Sequence, residues 1–86
     1  MRWRLVLAPR AERELDALEH RIRDRIVVAL DQLALDPYAT RNVKALKGGG
    51  YRLRVGDYRV LYELKNDILV ILVVRIANRR EVYRRP

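Results

Sequence analysis

Residues 51–62 constrain the fold more than any other stretch of this 86-residue chain. Tyr51-Arg52-Leu53-Arg54-Val55 alternates apolar or aromatic side chains with arginine. Gly56-Asp57 interrupts the pattern, and Tyr58-Arg59-Val60-Leu61-Tyr62 answers it. Strict alternation marks a half-buried strand, because successive side chains point to opposite faces. Two such runs joined by a Gly-led dipeptide predict a hairpin with a type II′ turn. A two-residue turn also sets the register, placing Val55 opposite Tyr58, Arg54 opposite Arg59 and Leu53 opposite Val60. Leu53, Val55, Tyr58, Val60 and Tyr62 then face a core, while Arg52, Arg54 and Arg59 share the other face. Like charges directly opposite on a sheet destabilise by up to about 1 kcal/mol. Stability does not call for Arg54 across from Arg59, but an anionic ligand would.

Other elements fall around that hairpin. Trp3, Leu5 and Leu7 alternate with Arg2, Arg4 and Val6 and read as a first strand. Pro9 suits the first position of a helix, and Ala11, Leu15 and Leu18 continue at helical spacing to an end near His20. Ile22, Ile26, Leu30 and Leu33 form a second stripe, stopped at Asp36 because Pro37 disfavours helix in the residue before it. With almost no linker, the two predict an antiparallel helical hairpin whose balanced charges are a solvated scaffold. Residues 37–50 read as a connector closed by a flexible loop at Gly48-Gly49-Gly50, since the spacing and the Lys-Ser/Thr ending of a P-loop are absent. Asn66-Asp67 is a second turn, and the apolar run Ile68–Val74 predicts a strand covered on both faces. The order β-α-α-β-β-β is an α+β domain: an N-terminal strand, a helical hairpin and a three-stranded antiparallel meander in one mostly antiparallel sheet. Residues 1–86 are expected to form this single domain.

Composition narrows the chemistry. The chain has no cysteine and no serine, one threonine (Thr40) and one histidine (His20). Thiol or hydroxyl nucleophile triads and Cys- or His-based metal sites are therefore not expected, nor is a cofactor. With no apolar run long enough to span a membrane and no signal-peptide pattern, a cytoplasmic protein is the expectation. Charge adds a direction. Residues 1–40 balance seven arginines against seven acids, while residues 41–86 hold twelve basic side chains against four acids, so the entire +8 lies in the second half. Four of the five tyrosines share that half, where arginine forks suit phosphate and aromatic rings can stack on bases. Nucleic acid or a polyacidic protein is the implied partner, with Lys44 and Lys47 as accessory cations.

The string Tyr51–Tyr62, followed after an apolar strand by Asn78-Arg79-Arg80-Glu81-Val82-Tyr83, resembles the RelE/ParE superfamily of toxins from bacterial toxin–antitoxin pairs. The likeness covers nearly the whole chain and implies the RelE-like microbial ribonuclease-type fold. For the RelE branch it implies a ribosome-dependent endoribonuclease that cleaves mRNA in the decoding site without a metal. Carried over residue by residue, Arg52, Arg54, Arg59, Arg79 and Tyr83 are the catalytic candidates, and Lys44, Lys47, Arg80, Arg84 and Arg85 the RNA-binding ones. Arg52 and Arg54 stand where the family often has lysine, and Asn78 where many relatives carry histidine. Arginine's pKa is too high for a ready base, so Arg52, Arg54 and Arg59 read as phosphate clamps, Arg79 as leaving-group stabiliser or acid, and Tyr83 as orienting the substrate. The base is left unidentified. The implied partners are a cognate antitoxin, the ribosome and mRNA, with DNA contacted only through the antitoxin complex. A ParE-like gyrase poison and a non-catalytic RNA- or protein-binding module are the alternatives on the same fold.

Overall fold

A computed structural model describes residues 2–78. Its elements are β1 (Arg4–Leu7), α1 (Pro9–Asp16), α2 (His20–Leu35), β2 (Val43–Ala45), β3 (Tyr51–Val55), β4 (Tyr58–Lys65) and β5 (Val70–Asn78). The five strands form one sheet in the order β1-β5-β4-β3-β2. Among the described residues only the β1–β5 pair is parallel. The helical hairpin covers one face, and the other carries no helix among the described residues.

Pro9 opens α1 directly after β1, where its missing N–H costs nothing. His20 begins α2 rather than closing α1: the chain turns over Ala17, whose N–H reaches the Arg13 carbonyl. Helix α2 stops at Leu35. Past it, Asp36 accepts the Tyr38 N–H on its side chain at 3.0 Å, and its carbonyl accepts the Thr40 hydroxyl at 2.8 Å. That local alternative to helical bonding suits the residue before a proline. The stripe read from spacing is the buried one, with Ala11, Ile26, Leu30 and Leu33 meeting Leu53, Val60, Tyr62, Ile71, Val73 and Ile76 of the sheet. Each of the larger side chains contributes about 1.5–3 kcal/mol by leaving water.

Two strands differ from expectation. The connector 37–50 contains β2, which pairs Val43 with Leu53, Lys44 with Arg52 and Ala45 with Tyr51. Three residues are too few for alternation to be seen in sequence. The triple glycine lies in the loop that closes a β2–β3 hairpin, where the Leu46 N–H reaches Gly50 O at 3.0 Å. The last strand starts at Val70 and not Ile68, because Leu69 has a φ of 52° and belongs to the turn. It then runs past the apolar residues to Asn78, and a bulge makes that extension possible. Tyr62 opposes Val73 but Leu61 opposes Arg75, so Val74 is an extra residue. Before the bulge Ile71 and Val73 face the helices, and after it Ile76 does. Flanked by β1 and β4, β5 is interior as expected, though Leu72 and Val74 on its far face are only half-buried.

Candidate nucleic-acid interface

The β3–β4 hairpin has the predicted register. Arg54 opposes Arg59, Val55 opposes Tyr58 and Leu53 opposes Val60. Gly56 has a φ of +58° and Asp57 does not share a positive φ, the pattern of a type II′ turn. The turn is also contacted from the helix side. A Cβ on Gly56 would lie 3.4 Å from both terminal nitrogens of Arg25, so the α2 guanidinium rests against this glycine. No sequence spacing announces Arg25 as a support for the turn, because the contact joins a helix to a strand end.

On the face away from the helices, Lys44, Arg52, Arg54 and Arg59 come together from three neighbouring strands. Lys44 sits directly beside Arg52 across the β2–β3 pair, and Arg54 directly beside Arg59 across β3–β4. Opposed residues on adjacent strands have Cβ atoms about 4.5–5.5 Å apart, so the four cationic side chains start from one small patch. Their surroundings differ. Lys44 and Arg54 are exposed and Arg52 is half-buried, whereas Arg59 is 3% exposed. The Arg52 Nε is buried with no hydrogen-bond partner among the described residues, and neither Arg52 nor Arg54 has an ion-pair partner there. Lys47 is not part of this patch. It lies in the Gly-rich loop beyond Tyr51, about 10 Å or more along β3 from Arg54 at strand rise. Arg79, Arg80, Tyr83, Arg84 and Arg85 lie outside the described residues.

A second feature adjoins the patch. Strand β2 pairs with β3 as far as Leu53, and the Arg54 N–H still reaches the Asn42 carbonyl at 3.0 Å, so the edge opens only at Val55 and Gly56. Between that edge and α2 runs an open groove of about 650 Å³. Val28, Ala29, Leu53 and Val55 give it apolar walls, and Arg25, Arg41 and Arg54 bring three positive charges against the single carboxylate of Asp24. Val28 is 57% exposed, and α2 also exposes Val27 and Leu35. Arg41 and the groove went unseen in the sequence, where Val28 reads as one apolar residue off the main stripe.

Arg75 is a well-partnered cation. Its Nε and a terminal nitrogen donate to one Glu14 carboxylate oxygen at 3.2 and 3.1 Å, while the other oxygen accepts the Ile76 N–H at 2.8 Å. Arg75 is thereby committed to the scaffold rather than available to a ligand.

The family profile described as ParE toxin of type II toxin–antitoxin systems, parDE, matches residues 5–83. The chain belongs to that family. It is a toxin of a type II toxin–antitoxin system built on the RelE/ParE fold. Solved structures agree on the architecture. The RelBE2 toxin–antitoxin complex from Mycobacterium tuberculosis has a chain 26% identical, with a TM-score of 0.77 over 92% of this chain and 100% of its own. The archaeal RelE–RelB complex from Pyrococcus horikoshii gives 26% identity and a TM-score of 0.78 over 92% of this chain and 97% of that one. A YoeB/ParE toxin from Agrobacterium tumefaciens, at 17% identity, shares the fold with a TM-score of 0.76 over 87% and 96% of the two chains. No curated protein sequence matches this chain significantly.

Proposed function

We propose that this toxin halts translation by cleaving mRNA on the ribosome, and that a cognate antitoxin neutralises it. The observation that carries the reading is the Lys44/Arg52/Arg54/Arg59 patch, which concentrates positive charge on one sheet face, a setting suited to a negative ligand. RNA cleavage without a bound group proceeds by attack of a ribose 2′-oxygen on the adjacent phosphorus. The 2′-proton leaves to a base, the bond to the 5′-oxygen breaks, and that oxygen takes up a proton. The products are a 2′,3′-cyclic phosphate and a 5′-hydroxyl. Arg52, Arg54 and Arg59 stabilise the charge that accumulates on the non-bridging oxygens, a role in which fixed donors matter most. Arg79 serves the departing oxygen, and Tyr83 orients the substrate. Lys44 holds a neighbouring phosphate, with Arg80, Arg84, Arg85 and Lys47 extending the contact with RNA.

The antitoxin completes the account. Both RelE–RelB relatives above are complexes with an antitoxin, and the groove beside α2 suits one strand of such a partner. A segment with apolar residues for Val28 and Val55 and acids for Arg25, Arg41 and Arg54 would fill it. It would also draw Arg54 away from RNA. A second reading, favoured by the match to the ParE profile in particular, is a gyrase poison in which the patch binds protein or DNA and no RNA is cut.

Growth arrest on induction tests the proposal. Arg54→Ala removes an exposed side chain and should leave the fold intact. Loss of one charge-stabilising donor is expected to lower cleavage by about 10²–10³ and to relieve the arrest. Arrest undiminished in a folded Arg54→Ala variant would refute the role of the patch.

A further inference from the structure

The bulge in β5 decides which residues flank Arg59, and the structure shows what secures it. Strand β1 ends at Leu7, opposite Val73, and Ala8 spends its N–H on the Val73 carbonyl at 2.8 Å. Beyond Val73, therefore, one edge of β5 has no neighbouring strand among the described residues. Glu14 of α1 stands at that edge. One carboxylate oxygen takes the Ile76 N–H and the other takes two nitrogens of Arg75, with the two side chains only 22% and 27% exposed. A single side chain thus supplies the acceptor that a longer β1 would have provided, immediately after the bulge.

The competing register is easily specified. Without the extra residue, Tyr62 opposite Val73 would put Leu61 opposite Val74, Val60 opposite Arg75 and Arg59 opposite Ile76. Arg75 would then point into the core beside Val60, and the bulk of an isoleucine would stand next to Arg59. In the observed register Ala77 opposes Arg59 instead, and both residues are 3% exposed, so the small side chain is what leaves room for the guanidinium. A one-residue slip turns every following side chain to the other face. Arg75 and Ile76 are the two residues whose placement differs most between the registers, and both are held by Glu14.

We infer that Glu14 is a positioning residue of the basic site: by clamping Arg75 and Ile76 it fixes the bulged register of β5 that sets Ala77 beside Arg59. The inference rests on Arg59 belonging to the toxin's working face. It makes Glu14, which touches no ligand, necessary for activity through the strand end it holds.

The test uses the full-length chain carrying Glu14→Gln or Glu14→Ala, at a temperature where circular dichroism shows each variant folded. Four quantities are read: amide exchange at Ile76, kcat and KM for ribosome-dependent mRNA cleavage, and the inducer dose that arrests growth. Glu14→Ala is expected to speed Ile76 exchange at least tenfold. It should lower kcat at least tenfold with KM within twofold, and raise the arresting dose. Glu14→Gln, which keeps an acceptor for Ile76 but not the ionic clamp on Arg75, should fall between and carries the test alone if the alanine variant does not fold. Wild-type kcat and arresting dose in a variant whose Ile76 amide has opened would overturn the inference. So would unchanged Ile76 exchange. If the wild-type chain arrests growth without cutting mRNA, the ribonuclease reading fails separately, and the arresting dose decides the role of Glu14.

Discussion

Tyr62 offers the sharpest check on the packing, because two independent consequences follow from one hydroxyl. Its ring stacks on Tyr51, with centroids 5.6 Å apart and planes 18° from parallel. The residue is 1% exposed, and its hydroxyl is buried with no hydrogen-bond partner among the described residues. An unsatisfied buried hydroxyl costs about 1–3 kcal/mol. Tyr62→Phe keeps the ring and the stack while removing that penalty, so at pH 7 the variant should be as stable as wild type or more so by up to that amount. Burial, with a smaller contribution from the Tyr51 phenol, also pushes the Tyr62 pKa up from 10.0 to about 12. A tyrosine whose pKa is raised on folding keeps its proton in the folded chain while the unfolded chain loses it. Its contribution is therefore fully present below pH 10 and is lost as pH rises toward about 12. A shift of this size corresponds to about 3 kcal/mol. Urea denaturation of both proteins from pH 7 to 12 isolates the effect, since every other titrating group is common to the two. Wild type should lose about 2 kcal/mol more than the variant by pH 12, where the folded tyrosine is only half ionised. Parallel curves, or a phenylalanine variant destabilised by more than about 1 kcal/mol at pH 7, would show that the hydroxyl is partnered and the reasoning wrong.

Three further outcomes follow from the same geometry. Gly56→Ala should destabilise by about 1–2 kcal/mol in a denaturant titration, because its left-handed φ disfavours a Cβ. The Arg25 guanidinium lies 3.4 Å from where that atom would stand, an ordinary van der Waals contact, so Arg25→Ala should not recover the loss. Val28→Glu places a negative charge in the groove and should weaken binding of the cognate antitoxin by tenfold or more, measured calorimetrically, with growth arrest retained. Association of the chain with single-stranded RNA should weaken steeply with salt, and Lys44→Ala should reduce the slope of log K against log salt by about 0.7.

The hairpin was legible in the sequence to the residue. Alternation, a Gly-led turn and the two-residue period leave one register, and Arg54 does stand opposite Arg59. The helical stripes were equally clear, since Ile26, Leu30 and Leu33 can only meet a core on one side of α2. What the sequence withheld was everything set by pairing at a distance. Strand β2 owes its existence to β3 and is too short to show a period of its own. The β5 bulge hides inside the run Ile71–Val74, where every side chain is apolar and a parity change leaves no trace. Glu14 read as one of several helix-surface acids, yet it caps a strand edge 62 residues away. Burial of Arg59 was not expected from its place on a basic face. Of the candidate site, Lys44, Arg52, Arg54 and Arg59 are brought together, while Lys47 falls at the far end of β3.

The central claim is that the basic sheet face of this toxin acts on RNA. A reconstituted translation reaction with purified protein, with mRNA 5′ ends mapped and gyrase supercoiling followed in parallel, tests it most directly. Discrete cuts in the ribosomal decoding site that disappear without ribosomes, and that weaken by about 10²–10³ with Arg54→Ala, are the predicted result. Intact mRNA alongside inhibited gyrase would contradict it.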